Sequence, residues 1–115
     1  MSDLFKKKCI PCKGNIPPFN LDEIHKYIKK VDGWNINNNN NNKKDYYLEK
    51  KFKFNNFKES QNFINEVGNI AEGENHHPDI TFGWGYANIK ISTHAINGLA
   101  ESDFILAAKI DKILV

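Results

Sequence analysis

Arginine is absent from the chain: all 16 basic residues among its 115 are lysine. Bidentate guanidinium clamps for phosphate or carboxylate are therefore excluded. Sixteen basic against 14 acidic residues leave a formal net charge of +2, which supplies no concentrated basic patch for nucleic acid. Long apolar runs are also missing. The longest lies near Phe104–Ala108, far short of the roughly 20 residues that span a bilayer. The amino terminus, Met-Ser-Asp-Leu-Phe-Lys-Lys-Lys-Cys, carries basic residues with no apolar stretch behind them, so it does not read as a signal peptide. The expected compartment is the cytoplasm, with the nucleus second. Cysteine is scarce, a single Cys9-Ile10-Pro11-Cys12. A four-ligand zinc site would need a second pair, and a redox motif would sit between a strand and a helix rather than in a Lys/Pro-rich lead-in. A reduced, non-catalytic pair is expected. What is present is 40% hydrophobic and 12% aromatic residues, enough for the core of one domain without metal or disulfide staples.

Pro11, Gly14, Pro17 and Pro18 punctuate residues 1–19, which read as an extended arm ahead of a single domain over 20–115. A first helix opens at Asn20, with Glu23 three residues on as a capping-box pair. Leu21, Ile24, Tyr27, Ile28 and Val31 recur at helical spacing, and Gly33 follows as a candidate C-cap. Trp34–Ile36 can start a short strand. It runs into Asn37–Asn42 and two lysines, and residues 37–44 read as a mobile loop with nothing apolar to bury. Between Asp45 and Phe54, Tyr46, Leu48, Phe52 and Phe54 share one parity, and Asp45, Glu49, Lys51 and Lys53 the other. This predicts a half-buried strand.

A second helix opens at Asn56, with Glu59 three residues on, and ends near Glu72-Gly73-Glu74. A hairpin follows, with Asp79–Gly83, a turn containing Trp84-Gly85, and Ala87–Thr93. The last helix, about Glu101 to Leu114, is apolar over more than one stripe. That breadth suggests a second face buried against another subunit or a protein partner. The order helix-strand-strand-helix-strand-strand-helix implies an α+β fold, a four-stranded antiparallel sheet with three helices packed on one face.

The chemically informative stretch is Glu72-Gly73-Glu74-Asn75-His76-His77-Pro78-Asp79. Imidazole titrates near neutrality and can both give and take a proton there. Pro78 restricts His77 to extended backbone, and His94 ends the strand that returns toward the same loop. Three readings of His76, His77 and His94 stay open on spacing alone. They can be ordinary surface or capped histidines, or zinc ligands, although adjacent rings coordinate one ion poorly. They can also be an acid/base cluster in a pocket walled by Trp34, Phe82, Trp84 and Tyr86.

The run from Glu72 to Asp103 resembles the signature of the pterin-4a-carbinolamine dehydratases. It supplies an acidic residue (Glu72), His76-His77-Pro78, an aromatic (Trp84), His94 and Asp103 at the family's intervals. Gly33-Trp34, Lys51–Phe54, Phe63, Ala71-Glu72, Ser92-Thr93-His94 and Leu106-Ala107 match as well, so the likeness runs from about Leu21 to Ile113. The position capping the last helix, usually Ser or Thr in the family, is Ala100, which leaves Asp103 to carry charge at that helix end.

The resemblance implies dehydration of a 4a-hydroxytetrahydropterin to the quinonoid dihydropterin in tetrahydrobiopterin recycling, without metal or other cofactor. It implies His77 as acid/base at N5–C4a, with His76 and His94 as partners in proton transfer. Glu72 orients His76 or binds the pterin's amino edge, with Asn75, Pro78, Ser92 and Thr93 also at the substrate and Trp34 and Asp103 in support. Dimers or tetramers of the chain are implied. The alternative is a non-catalytic dimerisation or assembly partner on the same fold, since animal and plant relatives play such parts.

Overall fold

A computed structural model describes residues 4–9, 17–38 and 45–114. Three α-helices, α1 (Leu21–Ile28), α2 (Phe57–Glu74) and α3 (Glu101–Asp111), accompany strands β1 (Asn35–Asn38), β2 (Tyr46–Lys53), β3 (Asp79–Gly83) and β4 (Tyr86–Ile91). The strands form one antiparallel sheet in the order β1-β2-β4-β3. Leu48 pairs with Ile91 and Phe52 with Ala87, so their side chains share a face with Ile89. That face is buried beneath the helices. Glu49, Asn88 and Lys90 alternate onto the opposite face, where the Asn88 amide donates to Glu49 at 2.8 Å. This is the expected α+β architecture, with its helices on one side.

The helix starts follow their caps. Asn20 and Glu23 satisfy each other's backbone N–H at 2.9 and 3.0 Å, the reciprocal box read in the sequence. At α2 the Asn56 side chain accepts from Glu59 N, but the Glu59 carboxylate reaches the N–H of Asn55 rather than Asn56. Gly33 does not cap α1, which ends at Ile28 with Lys29 as its cap. It lies in the following turn at φ +77°, where a side chain would be strained and would press on Lys50.

Two expectations need correction. Asn37 and Asn38 belong to β1, opposite Tyr47 and Tyr46, because ladder hydrogen bonds come from the backbone and tolerate polar side chains. The Asn37 amide also donates to Glu49 at 2.8 Å. The rest of the expected 37–44 loop, 39–44, lies outside the described residues, as does Cys12. Lys50, by its parity, stands on the helix-covered face and donates to Asp111 Oδ1 at 2.9 Å. The same carboxylate accepts from the Trp34 indole N–H at 3.0 Å.

The second correction concerns α3. Almost all of its length is buried, but within the chain itself. Besides α1, α2 and the sheet, the segment before α1 covers it. Leu4–Lys6 form a 3-10 turn whose Leu4 is buried against α3, so this part is not a detached extended arm. Lys7 binds Glu101 at 3.0 Å, the Cys9 N–H donates to Glu74 at 2.9 Å and the Cys9 thiol to Ser102 O at 3.4 Å. A partner meeting the chain through the last helix would find that face already occupied. Among the described residues, the large exposed apolar side chains are instead Leu21, Phe57, Trp84 and Leu114. Burial pushes the Cys9 thiol up to about 12, helped by the Glu74 charge. Burial opposes ionisation of Glu74, yet the Cys9 N–H and the Lys109 ammonium outweigh it and hold the carboxyl below its ordinary value.

Candidate active site

The carboxyl end of α2 aims the first two histidines. Asn75 takes the left-handed conformation (φ 52°), and its N–H closes onto Ala71 O and Glu72 O. The His76 N–H donates to Ala71 O at 3.1 Å. The helix is thus capped and the chain leaves it sharply, with Pro78 keeping His77 extended. Successive side chains in extended backbone point to opposite sides, and the two imidazoles accordingly find different partners.

His76 turns inward. Its Nε2 donates to Asp103 Oδ1 at 2.7 Å, and the ring is half-buried. Asp103 is fully buried in the first turn of α3. Its Oδ2 accepts from the Ala100 N–H at 2.8 Å and from the Thr93 hydroxyl at 2.8 Å. One carboxylate therefore caps a helix whose cap residue has no polar side chain and also fixes the His76 ring. A carboxylate only accepts, so Nε2 of this ring carries the proton of that bond, and in the neutral imidazole Nδ1 is then the acceptor.

His77 turns outward and pairs through Nε2 with Glu72 in the last turn of α2, both side chains being exposed. The expected pairing of Glu72 with His76 is thus corrected. Five residues separate Glu72 from His77 and the chain turns between them, which brings the carboxylate to the second ring. His94 follows the buried Thr93 and opens a 3-10 turn, His94–Ile96, with its side chain exposed. The Thr93 hydroxyl links this turn to Asp103, and Asp103 links it to His76. Thr93 itself, expected to face a ligand, is buried behind the site.

Beside His94, a cleft of about 220 Å³ opens, lined by Asp45, Tyr47, Asp79, Lys90 and Ser92 among others. Lys90 and Ser92 share the parity of Asn88, which puts the cleft on the open face of the sheet, and the Lys90 ammonium lies over the Tyr47 ring at 5.3 Å. Asp45, Tyr47, Asp79 and Lys90 were not singled out from sequence. Asp79 adjoins the His-His-Pro run, but the other three become neighbours only through strand register.

The aromatic wall expected around the histidines is not there. Trp84 occupies the β3–β4 turn, 71% exposed, at the end of the hairpin away from Asp79 and Lys90. Four residues of extended strand separate those ends, on the order of 13 Å. Phe82 contacts Phe57, and Tyr86 stands at the same far end, opposite Gly83. Trp34 is buried on the β1 side, bound to Asp111 and edge-on to Phe52. Among the described residues, no group of three or more His, Cys, Asp or Glu is arranged to hold a metal ion. None of the described helices is long and apolar enough to cross a membrane.

The chain is similar to known proteins over most of its length. Residues 17–113 match the family described as Pterin 4 alpha carbinolamine dehydratase. A Rubrobacter xylanophilus protein bearing that dehydratase name provisionally is 45% identical over 113 residues, covering 98% of this chain and all of the relative. An Alkaliphilus metalliredigens protein with the same provisional name is 47% identical, covering 97% of this chain and 96% of its own length. Among solved structures, a Brucella melitensis transcriptional coactivator/pterin dehydratase superposes with a TM-score of 0.72 at 24% identity, over 84% of this chain and 97% of that one. A pterin dehydratase-like RuBisCO assembly factor of the alpha-carboxysome superposes with a TM-score of 0.58 at 24% identity, over 70% of this chain and 88% of that one. At that identity the two structures speak for the fold alone.

Proposed function

The chain belongs to the pterin-4-alpha-carbinolamine dehydratase family, and from that premise we propose that it dehydrates 4a-hydroxytetrahydropterin to quinonoid dihydropterin, in tetrahydrobiopterin recycling, by histidine acid/base catalysis. The N5 lone pair forms the C4a=N5 bond as the C4a–O bond breaks. The departing hydroxide takes a proton and leaves as water, and the N5 proton passes to a base. Hydroxide is a poor leaving group, so a positioned proton donor lowers the barrier; one such group contributes about 10²–10⁴-fold.

His77 is the acid/base at N5–C4a, with Glu72 orienting it. His76 acts with a fixed tautomer, Nε2–H against Asp103 and Nδ1 free to accept. His94, at the mouth of the open-face cleft, assists hydroxyl departure, and Asn75, Pro78 and Ser92 contact the pterin around it. Asp103 and Thr93 act through His76 and touch no substrate. Trp34 has no part in this assignment, since its indole is committed to Asp111 on the β1 side.

The observation that carries the reading is the buried relay from His76 through Asp103 to Thr93, which ties the two histidine-bearing loops together. A protein serving only as an assembly partner has no need of that relay. Self-association into dimers or tetramers is part of the proposal, and it draws on Phe57, Trp84 or Leu114 rather than α3. The test is the decay of enzymatically generated 4a-carbinolamine followed by absorbance. His76→Ala, His77→Ala and His94→Ala are each expected to lower turnover by about 10²-fold or more. Wild-type kinetics in His77→Ala remove that ring from the mechanism, and an oligomer without turnover on size exclusion favours the scaffold.

A further inference from the structure

Glu74 is the last residue of α2, two before His76, and its side chain is 15% exposed. One carboxylate oxygen accepts from the Cys9 N–H at 2.9 Å and the other faces Lys109 of α3 at 3.4 Å. The Cys9 thiol in turn donates to Ser102 O at 3.4 Å, one residue before Asp103. The amino-terminal segment therefore touches the chain within two residues of each member of the His76–Asp103 bond. Nothing in the proposed chemistry uses Glu74, Cys9 or Lys109. Yet the Cys9 bonds, to Glu74 on one side and Ser102 on the other, join the end of α2 to the start of α3, across which the 2.7 Å contact runs, and Lys109 ties Glu74 to the last turn of α3.

We propose that Glu74 is a positioning residue for the candidate site. By binding the Cys9 N–H and Lys109 it clamps the end of α2 to α3 through the amino-terminal segment, and so holds His76 Nε2 on Asp103. The inference rests on the proposed role of His76. It extends the functional unit to residues 4–9, which the family match over 17–113 does not include.

The test uses the full chain and reads two signals. Nitrogen-15 spectra of the imidazoles report which ring nitrogen of His76 carries the proton, and turnover of the 4a-carbinolamine reports catalysis. In Glu74→Ala, His76 is expected to leave its single Nε2–H tautomer for a mixture. kcat should fall about ten-fold with KM within about two-fold, the scale of a small misplacement of a catalytic group. Glu74→Gln keeps an acceptor for the Cys9 N–H and should recover kcat to within about three-fold of wild type. Asp111→Ala destabilises the far end of α3, away from Glu74 and His76, and should leave both signals unchanged. A wild-type His76 spectrum and wild-type kcat in Glu74→Ala overturn the proposal. Should that variant not fold, Cys9→Pro, which deletes the N–H donor alone of Glu74's two partners, is read the same way: a displaced spectrum supports it and an unchanged one overturns it. The spectrum is taken on protein without substrate, so a chain that turns over no carbinolamine refutes the activity and leaves the clamp to be judged separately.

Discussion

Replacing Asp103 by Asn changes one atom at the centre of the relay and leaves its shape intact. The native carboxylate is fully buried and accepts three hydrogen bonds, at 2.7 Å from His76 and at 2.8 Å from both Thr93 and the Ala100 N–H. Asparagine has one oxygen and one NH₂. The Ala100 N–H cannot reorient, so the amide oxygen must take the Oδ2 position and the NH₂ must face His76. His76 Nε2 then has to accept, and its proton moves to Nδ1, which inverts the tautomer. Bonds to a charged acceptor contribute about 1.5–3 kcal/mol and neutral ones about 0.5–1.5, so the variant should lose about 3–4 kcal/mol of stability across the three bonds. The protein should still fold. A ring with its proton on the wrong nitrogen forfeits its acid/base contribution, on the order of 10²-fold in kcat/KM. Stopped-flow dehydration, with nitrogen-15 spectra of the same sample, measures both quantities. If the tautomer inverts and kcat/KM stays within about three-fold of wild type, the reasoning about His76 is wrong.

Other outcomes follow from groups away from the chemistry. Glu74 and Glu101 are held below the ordinary carboxylate value of 4.5, Glu101 chiefly by its hydrogen bond from Lys7. Their stabilisation is complete above pH 4.5 and is lost as pH falls through the depressed folded values, so urea midpoints should drop below pH 4.5 and do so less in Glu74→Gln. With its thiol pushed to about 12, Cys9 in a Cys12→Ser background should react with a thiol reagent at neutral pH far more slowly when folded than in urea. Asp111→Ala strands the Trp34 N–H and takes the counter-charge from the Lys50 ammonium, which keeps its bond to the Asp32 carbonyl, on the β1 side of the sheet. It should cost about 2–3 kcal/mol, a fall of about 10 °C in Tm, and leave turnover unchanged.

Local signals in the sequence were enough for much of this fold. Asn20 with Glu23 marks the start of α1 through bonds made within four residues, and the parity of Leu48 and Phe52 needs no knowledge of the rest of the chain. The interval from Glu72 to His94 is legible for the same reason, since both belong to one motif-bearing segment. What escaped depends on contacts between distant parts. Lys50 reads as another surface lysine until Asp111, 61 residues away, is seen to receive it under α3. The breadth of apolar residues on α3 truthfully signals a second buried face, but composition cannot tell a partner subunit from residues 4–9 of the same chain. Trp84 sits at its expected interval from Pro78, yet an interval says nothing about which end of a hairpin a side chain occupies. Glu72 was assigned to the nearer histidine because helical spacing was carried past Asn75, where the left-handed cap ends it.

The most direct measurement is the rate at which a chemically defined 4a-hydroxytetrahydropterin loses water when micromolar wild-type chain is added, set against its spontaneous decay in the same buffer. Acceleration by about 10²-fold or more, saturating with substrate and lost in His77→Ala, is the predicted result. Decay indistinguishable from the uncatalysed reaction, with the protein folded, would contradict the account at its centre.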